Sequence, residues 1–178
     1  MRRADSSCFR PSLAAAGLLA LVLASPATAG LLVGVPEGGY PELPTPPAPT
    51  FDPERIITIE DKIGSAIVMG VDPATISSDS DGVVRYVSIA RTRNGSTMTA
   101  TYEGVRCASA EVKLYARHYT DGVWRPVAEP QWQSLYDGGA PQQSLKIAKA
   151  GICQDAAPGG TSRRIIDTLR NEMTRRGP

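Results

Sequence analysis

Asn94-Gly95 stands between two β-rich runs, Val83-Val-Arg-Tyr-Val-Ser-Ile-Ala90 and Ser96-Thr-Met-Thr-Ala-Thr-Tyr102. Both turn residues tolerate φ > 0, the conformation that a two-residue hairpin turn demands. Such a turn sets the register: Arg93 opposes Ser96, and every opposed pair of residue numbers sums to 189. One face then carries Val83, Val87, Ile89, Met98, Ala100 and Tyr102. The other carries Ser88, Thr97, Thr99, Thr101 and Glu103, with Val84, Tyr86 and Val105 toward its far end. The first is expected to be the core face, because a slip of one residue exchanges the two sides.

The flanking sequence extends this hairpin into a sheet. Ile56–Ile59 and Ala66–Val71 are short β-rich runs, and Asp72-Pro73 and the cluster Ser77–Gly82 read as breaks and turns. Glu111–His118 alternates, with Val112, Leu114 and Ala116 on one face and Glu111, Lys113, Tyr115 and Arg117 on the other. Asp121-Gly122 is a second hairpin signal before Val123-Trp-Arg125, and Pro126 and Pro130 restrict this region to a short or edge strand. Pro141 suits a first helical turn, Gln142–Ala150 are good helix formers, and Gly151 ends them. The expected fold is therefore α+β: an antiparallel meander of about five strands closed by a short helix. Residues 158–178 read as a basic amphipathic helical tail, capped at Thr161-Ser162, with Ile165, Ile166, Leu169 and Met173 along one side. Arg163 with Asp167 and Glu172 with Arg176 stand at i,i+4 spacing.

The N-terminus reads as an address. Arg2, Arg3 and Arg10 precede a twelve-residue apolar run, Leu13–Ala24, and Ala27-Thr-Ala29 ends in a small-x-small pattern. This is the layout of a cleavable secretory signal peptide over residues 1–29. The run is too short for a membrane anchor, which needs ~20 residues. Residues 30–54 read as a proline-rich linker, with seven prolines from Pro36 to Pro53 favouring an extended polyproline spacer. The folded core is expected over 55–157.

Processing changes the arithmetic. The full chain has 178 residues, net charge +1 and three cysteines. Removing residues 1–29 leaves 16 basic and 17 acidic residues and two cysteines, Cys107 and Cys153. In an oxidising compartment an even pair reads as a disulfide, and the alternative is a free Cys107 nucleophile activated by His118. The near-neutral total argues against broad electrostatic binding to nucleic acid. It is also a cancellation: residues 37–81 carry nine acids and two bases, whereas residues 85–153 carry nine bases and five acids. Internal charge complementarity is the expected use of that asymmetry, the alternative being contact with anionic envelope polymers or lipid.

Few residues point to chemistry. A single histidine cannot supply a His-pair metal site, and Asp79-Ser-Asp81-Gly82 lacks the later ligands of a calcium loop, so no metal or cofactor is expected. His118 with Asp121 or Asp137 is the one pairing that a hydrolase could use, and no Gly-x-Ser-x-Gly motif accompanies it. Trp124, Trp132, Tyr119 and Arg125, around a proline-containing loop, are the candidate ligand or partner contacts. Arg163, Arg164, Arg170, Arg175 and Arg176 are the candidate contacts with an anionic surface.

Five blocks in order carry a family pattern: Asp81–Tyr86, Tyr102–Cys107, Lys113–Ala116, Asp121–Arg125 with Pro130-Gln-Trp132, and Ile152-Cys153. Over residues 67–153 the chain resembles the cryptic neisserial protein-like family, small exported proteins of Gram-negative bacteria with no established activity. The resemblance implies a periplasmic or envelope location and places Cys107 and Cys153 in the shared pattern. It carries over no catalytic or binding residue. The chain departs from the family in lacking the lipid-attachment cysteine of some relatives and in having Gly138–Gln143 where Asn- and His-containing residues are expected. Its basic tail is expected to lie outside the match. The leading expectation is an exported, non-catalytic binding or accessory module with an envelope protein or polymer as partner. The alternatives are the His118 hydrolase and a peripheral membrane protein docking through the arginine-rich helix.

Overall fold

The computed structural model describes residues 41–60 and 65–176. The expected signal peptide, the start of the proline-rich stretch and the side chains of Met173 and Arg176 lie outside the described residues. Ten strands occur in chain order: β1 (Ile57–Glu60), β2 (Ile67–Val71), β3 (Ser77–Ser78), β4 (Val83–Thr92), β5 (Met98–Arg106), β6 (Glu111–His118), β7 (Trp124–Pro126), β8 (Trp132–Ser134), β9 (Cys153–Gln154) and β10 (Ala157–Pro158). The helices are α1 (Gln142–Ile147), which runs into a π-type turn over Ala148–Ile152, and α2 (Ser162–Arg176).

The central hairpin keeps the expected register. Val83 opposes Arg106, Val87 opposes Tyr102 and Arg91 opposes Met98. The turn itself is wider than two residues: the last cross-strand bond runs from Thr92 N–H to the Thr97 carbonyl at 2.9 Å. Arg93 N–H bonds instead to the Ala66 carbonyl at 2.9 Å, which ties the hairpin end to the segment entering β2.

The main sheet has eight strands, not about five. All pairings are antiparallel, in the order β1-β2-β4-β5-β6-β7, with β3 also on β4 and β8 also on β6. The extra strands arise because two strand paths are each broken by proline. Asp72 caps a 3₁₀ turn over Pro73–Thr75, accepting from Ala74 N–H at 3.0 Å, so β2 and β3 pair with different halves of β4. The segment Pro126–Pro130 separates β7 from β8 on β6 in the same way.

The sheet is buried on both faces, which corrects the single core face. Val87, Ile89, Ala100, Tyr102, Tyr115 and Ala116 form one cluster, packed against Ala48, Phe51, Ile56, Met98 and Trp124. Val84, Tyr86, Val105 and Val112 belong to a larger cluster on the opposite face, with Ile147, Ile152, Ile165 and Leu169 from the helices. The face expected to be polar is thus the helix-covered one. Its polar residues are satisfied internally: the Glu103 carboxylate accepts from Ser88 (3.0 Å), Thr101 (2.5 Å), Tyr86 (3.1 Å) and Ser144 of α1 (2.7 Å). Buried polar groups are tolerated when partnered in this way.

The alternation of β6 is also corrected. Tyr102 pairs with Ala116, but its neighbour Glu103 pairs with Leu114, leaving Tyr115 as the extra residue of a β-bulge. Tyr115 and Ala116 therefore share a cluster across the sheet from Val112.

The helical part agrees with the sequence reading. Pro141 precedes α1, and Gly151, at φ +147°, breaks the helical path inside the π-type turn, one residue before its end at Ile152. Cys107 and Cys153 are joined, with Cα atoms 5.6 Å apart, fixing the end of that turn to the β5–β6 corner. On α2, Ile165 and Leu169 are fully buried against the domain.

Candidate binding groove

The described part of the proline-rich stretch, 41–54, forms no helix or regular strand, as its prolines require. It is nevertheless fastened to the sheet at both ends, so this part is an arm of the domain and not a free spacer. At the first end, Glu42 accepts from Lys113 Nζ at 2.5 Å and from the Tyr115 hydroxyl at 2.7 Å, and Leu43 N–H donates to Asp81 at 3.0 Å. At the second, Asp52 N–H donates to Asp72 at 2.8 Å, and the Arg55 guanidinium grips both Asp72 oxygens at 2.9 and 2.8 Å.

Behind the first anchor lies a buried cation. Arg85 is 1% exposed, near the start of β4, and donates to Asp81 at 2.7 Å and Asp79 at 3.0 Å. Burial alone disfavours its charge, but the carboxylates outweigh that and raise its pKa. Burial would likewise raise the carboxyls of Glu42, Asp72 and Asp81. Their partners reverse the direction (Lys113 and the Tyr115 hydroxyl for Glu42, an arginine and backbone N–H groups for Asp72 and Asp81), and all three lie below the ordinary range. The acidic first part of the chain and the basic sheet thus meet through specific pairs, the internal complementarity that the charge distribution predicts.

Between arm and sheet runs an apolar groove of about 440 Å³. Thr45–Ala48 of the arm form one wall, Tyr102, Tyr115 and Ala116 the floor, and Trp124, Pro126 and Pro130 the other wall. The bulge at Tyr115 builds the floor by turning its ring beside Tyr102, with centroids 5.3 Å apart. A Cβ on Gly104 would stand 2.5 Å from the Tyr115 hydroxyl oxygen, so glycine there makes room for the ring. Trp124 is held edge-on by Phe51 of the arm (5.6 Å) and His118 (5.2 Å).

The four aromatic and cationic candidates separate. Trp124 lines the groove. Tyr119 and Arg125 lie at the nearby hairpin end, the guanidinium 4.9 Å from the ring centroid. Trp132 sits at the other end of β6, with Arg106 at 4.3 Å and Lys113 at 4.8 Å from its ring. The pairing that a hydrolase needs is not assembled. His118 packs against the Phe51 and Trp124 rings, and its buried Nδ1 has no hydrogen-bond partner among the described residues. Asp121 is bound to Arg125 and to Val123 N–H, and Asp137 belongs to the turn after β8. Cys107 is bonded to Cys153 and is no free nucleophile.

On α2, Arg163, Arg164, Arg170 and Arg175 are exposed, Arg175 paired with Glu172. Ile165 and Leu169, which a membrane-surface helix would insert, are already spent inside the domain. No helix among the described residues is long and apolar enough to cross a membrane, and no group of three or more His, Cys, Asp or Glu among them stands ready to hold a metal ion.

Sequence reasoning missed Glu42, Asp72, Arg85 and Glu103. The available signal was a charge flanked by strand residues, Val84-Arg85-Tyr86 and Tyr102-Glu103-Gly104, which marks either a solvent face or a buried pair. A family model described as the CNP1-like family matches residues 38–170. That span takes in the arm and more than half of α2, both beyond the 67–153 blocks. No curated protein and no solved structure matches the chain significantly.

Proposed function

The chain belongs to the CNP1-like family, and from that premise we propose that it is a non-catalytic binding module of the cell envelope, taking an apolar partner segment in the groove between its arm and its sheet. The observation that carries this reading is the groove: about 440 Å³ of apolar space with Tyr102, Tyr115 and Trp124 converging on it. Binding sites are concave and mostly apolar, with a few polar groups for orientation, and this one has that character. What favours this reading over the His118 hydrolase is that His118 packs against the Phe51 and Trp124 rings while Asp121 is bound to Arg125. Export to the periplasm rests on the N-terminal layout of three arginines, an apolar run and Ala27-Thr-Ala29.

The test places a photoreactive amino acid at Pro126 or, as control, at Arg170 on the exposed side of α2, in living cells. The expected result is a cross-linked adduct from Pro126 alone, recovered in the periplasmic fraction and lost on Trp124→Ala. Equal adducts from both positions, or none from Pro126, overturn the proposal.

A further inference from the structure

Resting on that reading, we infer that the groove takes an extended, proline-bearing polypeptide segment, laid beside the chain's own arm. The arm is the first argument. Thr45-Pro46-Pro47-Ala48 already lies on this face and forms one side of the groove, with Ala48 packed against the cluster that holds Tyr102 and Tyr115. The surface that accepts one proline-rich segment is formed by the same rings that would accept a second.

The chemistry of the lining is the second argument. Among the described residues no charged side chain lines the groove, so it has nothing to pair with an anionic polymer. A sugar would stack on the rings but would bring hydroxyls in need of acceptors. The lining hydroxyls are those of Thr45, Tyr102 and Tyr115, and that of Tyr115 is given to Glu42. A polyproline II segment has the opposite need: it lacks internal hydrogen bonds and presents carbonyls that accept. The Trp124 indole N–H and the Tyr102 hydroxyl are donors.

Stiffness is the third. Tyr102 and Tyr115 stand side by side, centroids 5.3 Å apart, as an aromatic floor, and a preformed polyproline II segment loses little entropy on docking against such a surface.

The test is calorimetric titration of the purified protein with two heptapeptides: the chain's own sequence 44–50, and the same peptide with every proline replaced by alanine. The proline peptide is expected to bind about tenfold more tightly, and Trp124→Ala to weaken it about tenfold. Pro130→Ala, at the groove wall, is the milder variant should Trp124→Ala lower the melting temperature, with a weakening of about threefold expected. Equal affinity for both peptides overturns the proline preference. Binding of neither, with the Pro126 cross-link intact, overturns this inference and leaves the binding module standing. Binding of neither together with loss of that cross-link removes both.

Discussion

The Tyr115 hydroxyl donates to Glu42 Oε1 at 2.7 Å across 73 positions of sequence. That bond joins a bulged strand residue to an arm without secondary structure of its own. It makes the arm the third layer of the domain, opposite the helices.

Breaking the bond should loosen the arm before the sheet. Tyr115→Phe removes one hydrogen bond to a charged acceptor and should cost about 1.5–3 kcal/mol. Gly104→Ala should act on the same contact by displacing the Tyr115 ring, at a cost of about 1–3 kcal/mol. Hydrogen exchange should show faster exchange at Leu43 and Asp52, whose N–H groups bond to buried carboxylates, with β4 and β5 still protected. Uniform loss of protection would mean that the arm is not a separable layer.

Acid should act through the same anchors. The Glu42, Asp72 and Asp81 carboxyls are held below their ordinary range: burial works against the charge, but the cations and hydrogen-bond donors around them prevail. As pH falls, the unfolded chain takes up protons first, so these groups stabilise the fold above about pH 4 and lose that contribution as pH drops toward their folded values. Urea midpoints measured from neutral to acid pH should fall steeply below about pH 4. Asp72→Asn should be less stable at neutral pH and should show a flatter acid limb. An unchanged limb would show that the Arg55 pairing contributes nothing to it.

The Glu103 network should be costly to break. Its carboxylate accepts from four hydroxyls and is fully buried. Glu103→Ala leaves the Tyr86 and Ser144 hydroxyls without this acceptor, while Ser88 and Thr101, 2.6 Å apart, can still pair, and should cost about 1–3 kcal/mol for each orphaned donor. Glu103→Gln keeps the shape and one acceptor and should cost less, so the two denaturation midpoints should rank alanine below glutamine below wild type. The reverse order for alanine and glutamine would contradict the network.

The disulfide bridges residues 46 positions apart. In the loop-entropy model its removal costs about 4 kcal/mol. Thermal melting of Cys107→Ser/Cys153→Ser should show that loss, whereas an unchanged melting temperature would show that packing alone fixes the π-type turn to the β5–β6 corner.

Much of the sheet was legible because turn chemistry and a two-residue period speak directly of backbone. Asn94-Gly95 and the alternation around it predict the β4–β5 register even though the turn widened. The cysteine pairing is legible once the N-terminal segment is read as an export signal, which leaves an even pair, and the burial of Ile165 and Leu169 is legible from helical spacing. The part that stayed hidden is tertiary. Strands of two or three residues, such as Ser77–Ser78, carry no period and exist only because β4 offers a partner. The bulge at Tyr115 reverses a face without any change in composition. Glu103 looks like a solvent-facing residue, and Arg85 like a misfit among Val83 and Val87 on the expected core face, until their partners are placed around them. Prolines declare an extended segment but not the surface it lies on, so the arm read as a spacer.

The most direct measurement uses the two tryptophans as separate reporters. In an amide correlation spectrum of the labelled protein, titrated with the 44–50 peptide, the Trp124 indole N–H should shift to saturation. The Trp132 signal, from a ring flanked by Arg106 and Lys113, should stay in place. Movement of Trp132 alone, of both equally, or of neither would contradict the groove as the binding surface.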